Sequence, residues 1–196
     1  MRKIISVILA VFMITCVLNG CGKSNEEIVD VDPNASDFEL VKESFKAASK
    51  LYSGIFLTQE DVNMSDVIRG TNVYGEEGDM YQVPQANTVE ELKDYCRKIY
   101  SAEMVKELMA MHSFQETGGK LYIDQTLGLG GPVATAADMR ITKDRDDQYT
   151  VEIVEYYDYS EEGAEPFVAH LNYVDGNWVW DTIIWGDENI ELREVN

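Results

Sequence analysis

The chain has 196 residues, with 16 basic and 36 acidic side chains and a formal net charge of -20 at pH 7. Charge repulsion at this level argues against nucleic acid as a partner and against flat docking on anionic lipid, and it favours a basic protein partner or cations. Solubility alone explains most individual carboxylates equally well.

The first 21 residues have the pattern of an export signal. Arg2 and Lys3 precede an uncharged, apolar run over residues 4–18. A membrane-spanning helix needs about 20 apolar residues, so this shorter run predicts a cleaved signal peptide. The stretch Leu18-Asn19-Gly20-Cys21 then resembles the bacterial lipobox, which implies that Cys21 becomes the diacylated N-terminus on the outer face of the cell membrane. A plain signal peptide with an incidental cysteine is the alternative.

Cleavage at this point predicts three parts. Residues 1–20 are the lipoprotein signal peptide, residues 21–35 a flexible acidic tether, and residues 36–196 a single α+β domain. The signal removes two of the 16 cations and none of the 36 acids, which leaves a net charge of -22. If Cys21 is acylated, Cys96 has no disulfide partner within the monomer, and we expect it to be a small buried hydrophobe.

An apolar stripe at helical spacing predicts the first helix of the domain. It covers residues 36–53, with Ser36 or Asp37 as the N-cap and Gly54 as the end. The residues that follow, 57–87, show little periodicity, and a stretch this long without clear structure is often a functional loop.

Within residues 57–87 we expect a helical turn near residues 61–68 and a short strand over residues 80–83. Two helices follow. Thr88 and Glu91 form a capping box, in which the hydroxyl and the carboxylate satisfy reciprocal backbone donors. Ser101 is expected to cap the next helix, with His112 on its inner face. Gly118 and Gly119 are expected to stop this helical unit.

The periodicity then changes to that of strands. A short strand is predicted over residues 120–123, followed by a glycine-rich loop and four longer strands. The turn Asp175-Gly176 suits a two-residue hairpin. We therefore predict an α+β domain in which N-terminal helices pack on a curved antiparallel meander in the C-terminal half. The four strands are expected over residues 135–143, 149–159, 166–174 and 177–185.

Few residues suggest catalysis or metal binding. His112 and His170 have no second histidine or cysteine at ligand spacing, which argues against a nitrogen and sulfur metal site. Residues 144–155 echo a calcium loop but place Tyr149 where glycine is required. We expect no enzyme and no cofactor. Weak calcium binding by surface carboxylates and a chance carboxylate pair stay open.

Aromatic side chains crowd the last three predicted strands. At strand alternation some face inward as core, and the others form either ordinary cross-strand pairs or a protein-binding face. The set is Tyr156, Tyr157, Tyr159, Tyr173, Trp178, Trp180 and Trp185.

Several local patterns follow one another along the chain after the first predicted helix, which carries a stripe of Phe, Ala and Tyr. They are Tyr81-Gln82-Val83 before Thr88-Val89-Glu90-Glu91-Leu92, Phe114 before Gly119-Lys120-Leu121-Tyr122, and Gly176-Asn177-Trp178-Val179-Trp180-Asp181-Thr182. This order resembles the IseA-type inhibitors of peptidoglycan DL-endopeptidases in Gram-positive bacteria, over roughly residues 38–185. The resemblance implies a non-enzyme that binds the catalytic domain of a cysteine-dependent cell-wall hydrolase and blocks its cleft.

Loops are the predicted contact surface for such a partner, at residues 124–134, 144–148 and 160–165. The candidate partner-binding residues are Asp124, Asp144, Asp146, Asp147, Glu161 and Glu162. The alternative function is a lipid-anchored, cone-like domain, similar to nuclear transport factor two, that binds a small ligand or peptide through inward-facing aromatics. Salt and charge reversal should weaken the first function and spare the second.

Overall fold

A computed structural model describes residues 36–57, 59–124, 134–157, 163–184 and 189–195 of the chain. In these ranges the α-helices are α1 (Asp37–Leu51), α2 (Val89–Cys96) and α3 (Ala102–Ala110). The strands are β1 (Asn63–Thr71), β2 (Glu77–Gln82), β3 (Phe114–Thr117), β4 (Lys120–Asp124), β5 (Ala134–Arg145), β6 (Gln148–Tyr157), β7 (Phe167–Val174), β8 (Asn177–Trp180) and β9 (Glu191–Glu194). The predicted α+β class is confirmed.

The strands form two sheets where one was predicted. The four-stranded sheet has the order β1-β2-β4-β3 and is antiparallel throughout. The five-stranded sheet has the order β8-β7-β6-β5-β9, in which β9 pairs with β5 in parallel and the other pairs are antiparallel. The four-stranded sheet was not predicted; it forms from residues 63–124, with β1 and β2 before the helices α2 and α3, and β3 and β4 after them.

Helix α1 packs on the five-stranded sheet. Ser36 caps it as predicted, since its Oγ accepts a bond of 3.2 Å from the backbone N–H of Glu39. The Phe45 ring meets the Trp180 ring edge to face at 6.3 Å between centroids. The indole Nε1 of Trp180 donates to the carbonyl of Ser44 at 3.1 Å. Both rings are fully buried, and each contributes about 1.5–3 kcal/mol of transfer free energy.

Gly54 does not end the first helix. The chain continues from α1 into a π-helical turn over Tyr52–Leu57, and Gly54 lies inside this turn. A Cβ on Gly54 would stand 2.1 Å from Oδ2 of Asp61. The backbone N–H of Asp61 donates to the Gly54 carbonyl at 2.9 Å. Glycine is therefore required here because the following segment folds back against it, not because it breaks the helix.

The predicted helical turn at residues 61–68 is also wrong. Residues Asn63–Thr71 form strand β1, which pairs with β2 in a register that sets Arg69 opposite Asp79. No side chain of β1 is fully buried, so the strand lacks the apolar alternation that reveals strands in a sequence. The predicted strand at residues 80–83 is found within β2 and the residue after it.

The capping signals of α2 and α3 are found in the structure. Thr88 Oγ1 accepts from the backbone N–H of Glu91 at 3.1 Å, and the Glu91 carboxylate accepts from the N–H of Asn87 at 2.8 Å. Ser101 Oγ accepts from the N–H of Met104 at 3.3 Å. The end of the helical unit differs from the prediction. Helix α3 ends at Ala110, and the two glycines at 118 and 119, with φ of +59° and +73°, form the turn between β3 and β4.

Two strand boundaries of the five-stranded sheet also differ from the prediction. Strand β5 runs to Arg145, so its connection to β6 is a two-residue turn, shorter than the predicted residues 144–148. Strand β8 ends at Trp180, where the Asp181 carboxylate accepts the backbone N–H of His170 at 2.8 Å. The Asp175-Gly176 turn has the expected positive φ angles, +50° and +88°.

Candidate protein-binding surface

Asp124, which was predicted to lie in an exposed contact loop, is buried at the end of β4 with 5% of its surface exposed. Its Oδ1 lies 3.1 Å from Nδ1 of His112, and its carbonyl accepts from Nε2 of Gln59 at 2.9 Å. The prediction that Asp124 lies on an exposed surface is therefore wrong. The His112 ring sits beside the rings of Phe56 and Phe114, at 5.5 and 6.4 Å between centroids.

Glu161 and Glu162 lie outside the described residues, as do residues 125–133 and 158–162 of the predicted contact loops. The structure therefore describes only the β5–β6 loop of the three in full.

The aspartate turn, residues 144–147 at the end of β5 and in the turn to β6, is exposed. Each of its three acids has a partner in the same hairpin. Asp144 Oδ2 accepts from Oγ1 of Thr150 at 2.6 Å. Asp146 lies 3.8 Å from the ammonium of Lys143, and Asp147 lies 3.3 Å from Nε of Arg145. Two cations thus offset three acids over residues 143–147, and the net charge of this hairpin end is only -1.

The end of the β1–β2 hairpin is a second exposed surface, and the sequence did not predict it as a contact site. The tyrosine tip, residues 72–77 between β1 and β2, presents Tyr74 with 78% and Val73 with 42% of their surfaces exposed. The Asn72 side chain organises it, because Oδ1 accepts from the backbone N–H groups of Tyr74 at 2.9 Å and of Glu76 at 3.0 Å. Gly75 completes the turn with a φ of +82°.

Negative charge at the tyrosine tip is offset less than at the aspartate turn. Residues 72–79 contain three acids and no cation. Asp79 pairs with Arg69 across the hairpin at 2.6 Å. Within the described part of the chain, neither Glu76 nor Glu77 lies within ion-pair distance of a lysine or arginine. A depression of about 160 Å³ lies beside them, lined by Gly70, Asn72, Glu76, Glu77, Gly78, Asp79, Met80 and Asp124.

The aromatics of the last strands divide between core and surface. Trp180 is core, as one alternative predicted. Trp178 is half-buried between Tyr149 and Tyr173, at 5.2 Å between centroids in both directions. Tyr173 is 49% exposed. Tyr159 and Trp185 lie outside the described residues. The exposed aromatic area in this sheet is therefore small and belongs to a cross-strand cluster.

One carboxylate lies on the inner face of the five-stranded sheet. Glu155 is buried; its Oε2 accepts from the Tyr157 hydroxyl at 2.6 Å, while its Oε1 has no hydrogen-bond partner among the described residues. Burial raises the pKa of Glu155, and the bond from Tyr157 opposes that shift in part. Burial without full hydrogen bonding therefore penalises the ionised form of this carboxyl.

Groups with catalytic or metal-binding chemistry are dispersed over the described residues. Each histidine pairs with a different aspartate through Nδ1. His112 lies 3.1 Å from Asp124, and His170 lies 2.8 Å from Asp181. In the described ranges, no three His, Cys, Asp or Glu side chains are placed to hold a metal ion. Cys96 is buried, as predicted, and burial raises the pKa of its thiol to about 12, which keeps it protonated and unreactive.

Comparison with models of known protein families gives no match, and neither does comparison with curated proteins. Over the described part of the chain, no helix is long and apolar enough to cross a bilayer.

Proposed function

We propose that this chain is a lipoprotein, anchored through Cys21 to the outer face of the cell membrane, that binds and inhibits a cysteine-dependent peptidoglycan DL-endopeptidase. Its role is non-catalytic. The observation that carries the proposal is charge: the chain has a net charge of -20, and its described surface displays carboxylates at two hairpin ends. Such a surface attracts a basic protein and increases its association rate at low salt.

A ligand-binding domain with a curved, cone-like sheet is the second candidate. It requires an open, apolar face on the five-stranded sheet. Helix α1 covers part of that face, where Phe45 contacts Trp180 and Tyr149 donates to Asp37 at 2.6 Å. The depression of about 160 Å³ on the other sheet is smaller than the roughly 300–1,000 Å³ of most ligand pockets, and four carboxylate residues line it. Within the described residues, these features favour protein binding over ligand binding.

Titration of purified DL-endopeptidase catalytic domains with this protein tests the proposal. We expect inhibition of peptidoglycan cleavage, with an affinity that falls at least about tenfold between 50 and 300 mM salt. Charge reversal at Asp144, Asp146 and Asp147 should slow association. An absence of affinity at low salt would contradict the proposed function.

The lipid anchor has a separate test. The mature protein should begin at Cys21 and incorporate labelled fatty acid, and the Cys21→Ala variant should incorporate none. A mature protein that retains residues 1–20, or an unlabelled one, would contradict the anchor without bearing on inhibition.

A further inference from the structure

We propose that the tyrosine tip is the anchor through which this chain docks on its basic partner. Tyr74 and Val73 supply the apolar contact, and Glu76 and Glu77 receive lysine or arginine side chains of the partner. This inference rests on the proposed function, since the partner is the basic surface of the hydrolase. It adds a docking element that neither the sequence pattern nor the resemblance indicated.

The exposure of Tyr74 is not explained by the fold. Its side chain is 78% exposed, the largest value among the exposed large apolar side chains of the described residues. Tyrosine is among the residues that carry most binding energy at protein interfaces, because it combines a large rigid ring with a polar end. A single exposed apolar residue is ordinary, so the argument needs the two observations that follow.

Hydrogen bonds within the chain fix the backbone of the tyrosine tip without any partner. Asn72 accepts two backbone N–H groups through Oδ1, its own N–H donates to the Glu76 carbonyl at 2.9 Å, and its carbonyl accepts from Gly75 at 3.0 Å. Strands β1 and β2 continue the pairing directly below, with Thr71 opposite Glu77. A preorganised anchor binds more tightly, because less conformational entropy is lost on docking.

The negative charge of the tyrosine tip determines which kind of partner can bind there. The three acids of residues 72–79 carry more negative charge than Arg69 offsets through its pair with Asp79, and among the described residues Glu76 and Glu77 have no ion pair. A basic protein surface complements this arrangement. A second copy of this chain does not, because each copy carries a net charge of -20 and like charges facing each other across an interface cost several kcal/mol.

The two hairpin ends are predicted to act at different steps. At the aspartate turn, Lys143 and Arg145 offset the acids, and the half-exposed Tyr173, whose backbone N–H donates to the Asp147 carbonyl at 2.8 Å, packs its ring on Trp178. Charge reversal of these acids would make the turn repel a basic partner, so we expect it to affect association. At the tyrosine tip, the aromatic and carboxylate groups make close contact and affect dissociation. Mutations within one interface alter the dissociation rate more than the association rate.

The experiment measures association and dissociation rates of the full chain, purified in a mild detergent, on an immobilised DL-endopeptidase catalytic domain. The variants are Tyr74→Ala and the double variant Glu76→Lys/Glu77→Lys. Val168→Ala, another exposed apolar truncation, is the control for the first. Glu103→Lys/Glu107→Lys on α3 makes the same charge change as the second and is its control. Circular dichroism melts verify that each variant is folded.

We expect Tyr74→Ala to raise the dissociation rate at least about tenfold, with the association rate changed less than about twofold. The Glu76→Lys/Glu77→Lys variant should raise Kd about 30-fold or more, and both controls should stay within about threefold of the unchanged chain.

If the unchanged chain binds and both tip variants bind equally well, the docking inference is wrong and the proposed function stands. If the unchanged chain does not bind, the proposed function fails and the inference fails with it. Sedimentation decides the remaining alternative. Self-association that is lost in Tyr74→Ala would make a second copy the occupant and overturn the basic partner.

Discussion

Two aromatic side chains, Trp180 in the five-stranded sheet and Tyr74 on a hairpin of the four-stranded sheet, differ most in burial. In the five-stranded sheet, Trp180 is fully buried against α1, and Tyr149 and Trp178 pack in a cluster at the same sheet. In the four-stranded sheet, the β1–β2 hairpin extends an aromatic into solvent, with Tyr74 78% exposed. Tyr81 and Tyr122 of the four-stranded sheet are also buried, so the contrast lies between Trp180, which stabilises the fold, and Tyr74, which leaves a surface available.

The two sheets also differ in how the carboxylates that they bury are hydrogen-bonded. The four-stranded sheet buries the pair Asp124 with His112, whereas the five-stranded sheet buries Glu155, one oxygen of which has no hydrogen-bond partner in the part of the chain that the structure describes. A satisfied buried pair contributes to stability, and an unsatisfied group subtracts from it. Single substitutions test these differences, because each buried or exposed side chain predicts a different change in the free energy of unfolding.

The largest loss of stability is expected from Trp180→Ala. The change removes a fully buried indole, opens a cavity beside Phe45, and leaves the carbonyl of Ser44 without its donor. We expect a loss of about 3–5 kcal/mol in the free energy of unfolding, measured in urea. Val168→Ala, on the exposed face of the same sheet, should change it by less than about 0.5 kcal/mol. Equal effects of the two would mean that α1 does not pack on this sheet.

A smaller loss is expected from Asp124→Ala. The buried His112 ring then loses the group 3.1 Å from its Nδ1, and an unpaired buried polar atom costs about 1–3 kcal/mol. Asp94→Ala on α2 is the matched control, because its ion pair with Arg97 is exposed and contributes about 0–1 kcal/mol. An unchanged urea midpoint for Asp124→Ala would show that the pair does not hold the four-stranded sheet together.

Glu155→Gln should stabilise the protein, and by an amount that depends on pH. Burial raises the folded-state pKa of Glu155 above its usual range, so the folded state holds more protons than the unfolded state between the two pKa values. Stability is therefore lost as pH rises through that window, and the neutral amide avoids this loss. We expect a gain on the order of 1 kcal/mol at pH 7.5 that shrinks towards pH 5. Urea unfolding across this range measures it, and a gain independent of pH would contradict the explanation.

The sequence predicted elements well where local chemistry determines them. Ser36, Thr88 and Ser101 cap helices because each short polar side chain accepts a nearby backbone N–H. The Asp175-Gly176 turn follows from the ease with which these residues adopt positive φ. Each of these signals needs only three or four consecutive residues, so no tertiary information is required.

Features that depend on tertiary pairing were not predictable in this way. Strand β1 buries no side chain fully, so its pairing with β2 has no apolar signature. Asp124 resembles any loop acid until the chain brings His112 and Gln59 to it. The tyrosine tip carried one usable signal, an Asn, Tyr and Gly cluster followed by two glutamates, but turn composition alone does not show that Tyr74 is exposed.

The smallest effect on stability is expected at the tyrosine tip, and its smallness is informative. Tyr74→Ala removes a side chain that buries little surface, so the free energy of unfolding should change by no more than about 0.5 kcal/mol. The β1–β2 pairing below the tip and the bonds to Asn72 do not involve the ring. Urea unfolding of Tyr74→Ala beside Trp180→Ala therefore separates an aromatic that stabilises the fold from one available for binding. A loss above 1 kcal/mol would mean that Tyr74 packs on the protein itself, and it would remove the basis for assigning the ring to a partner.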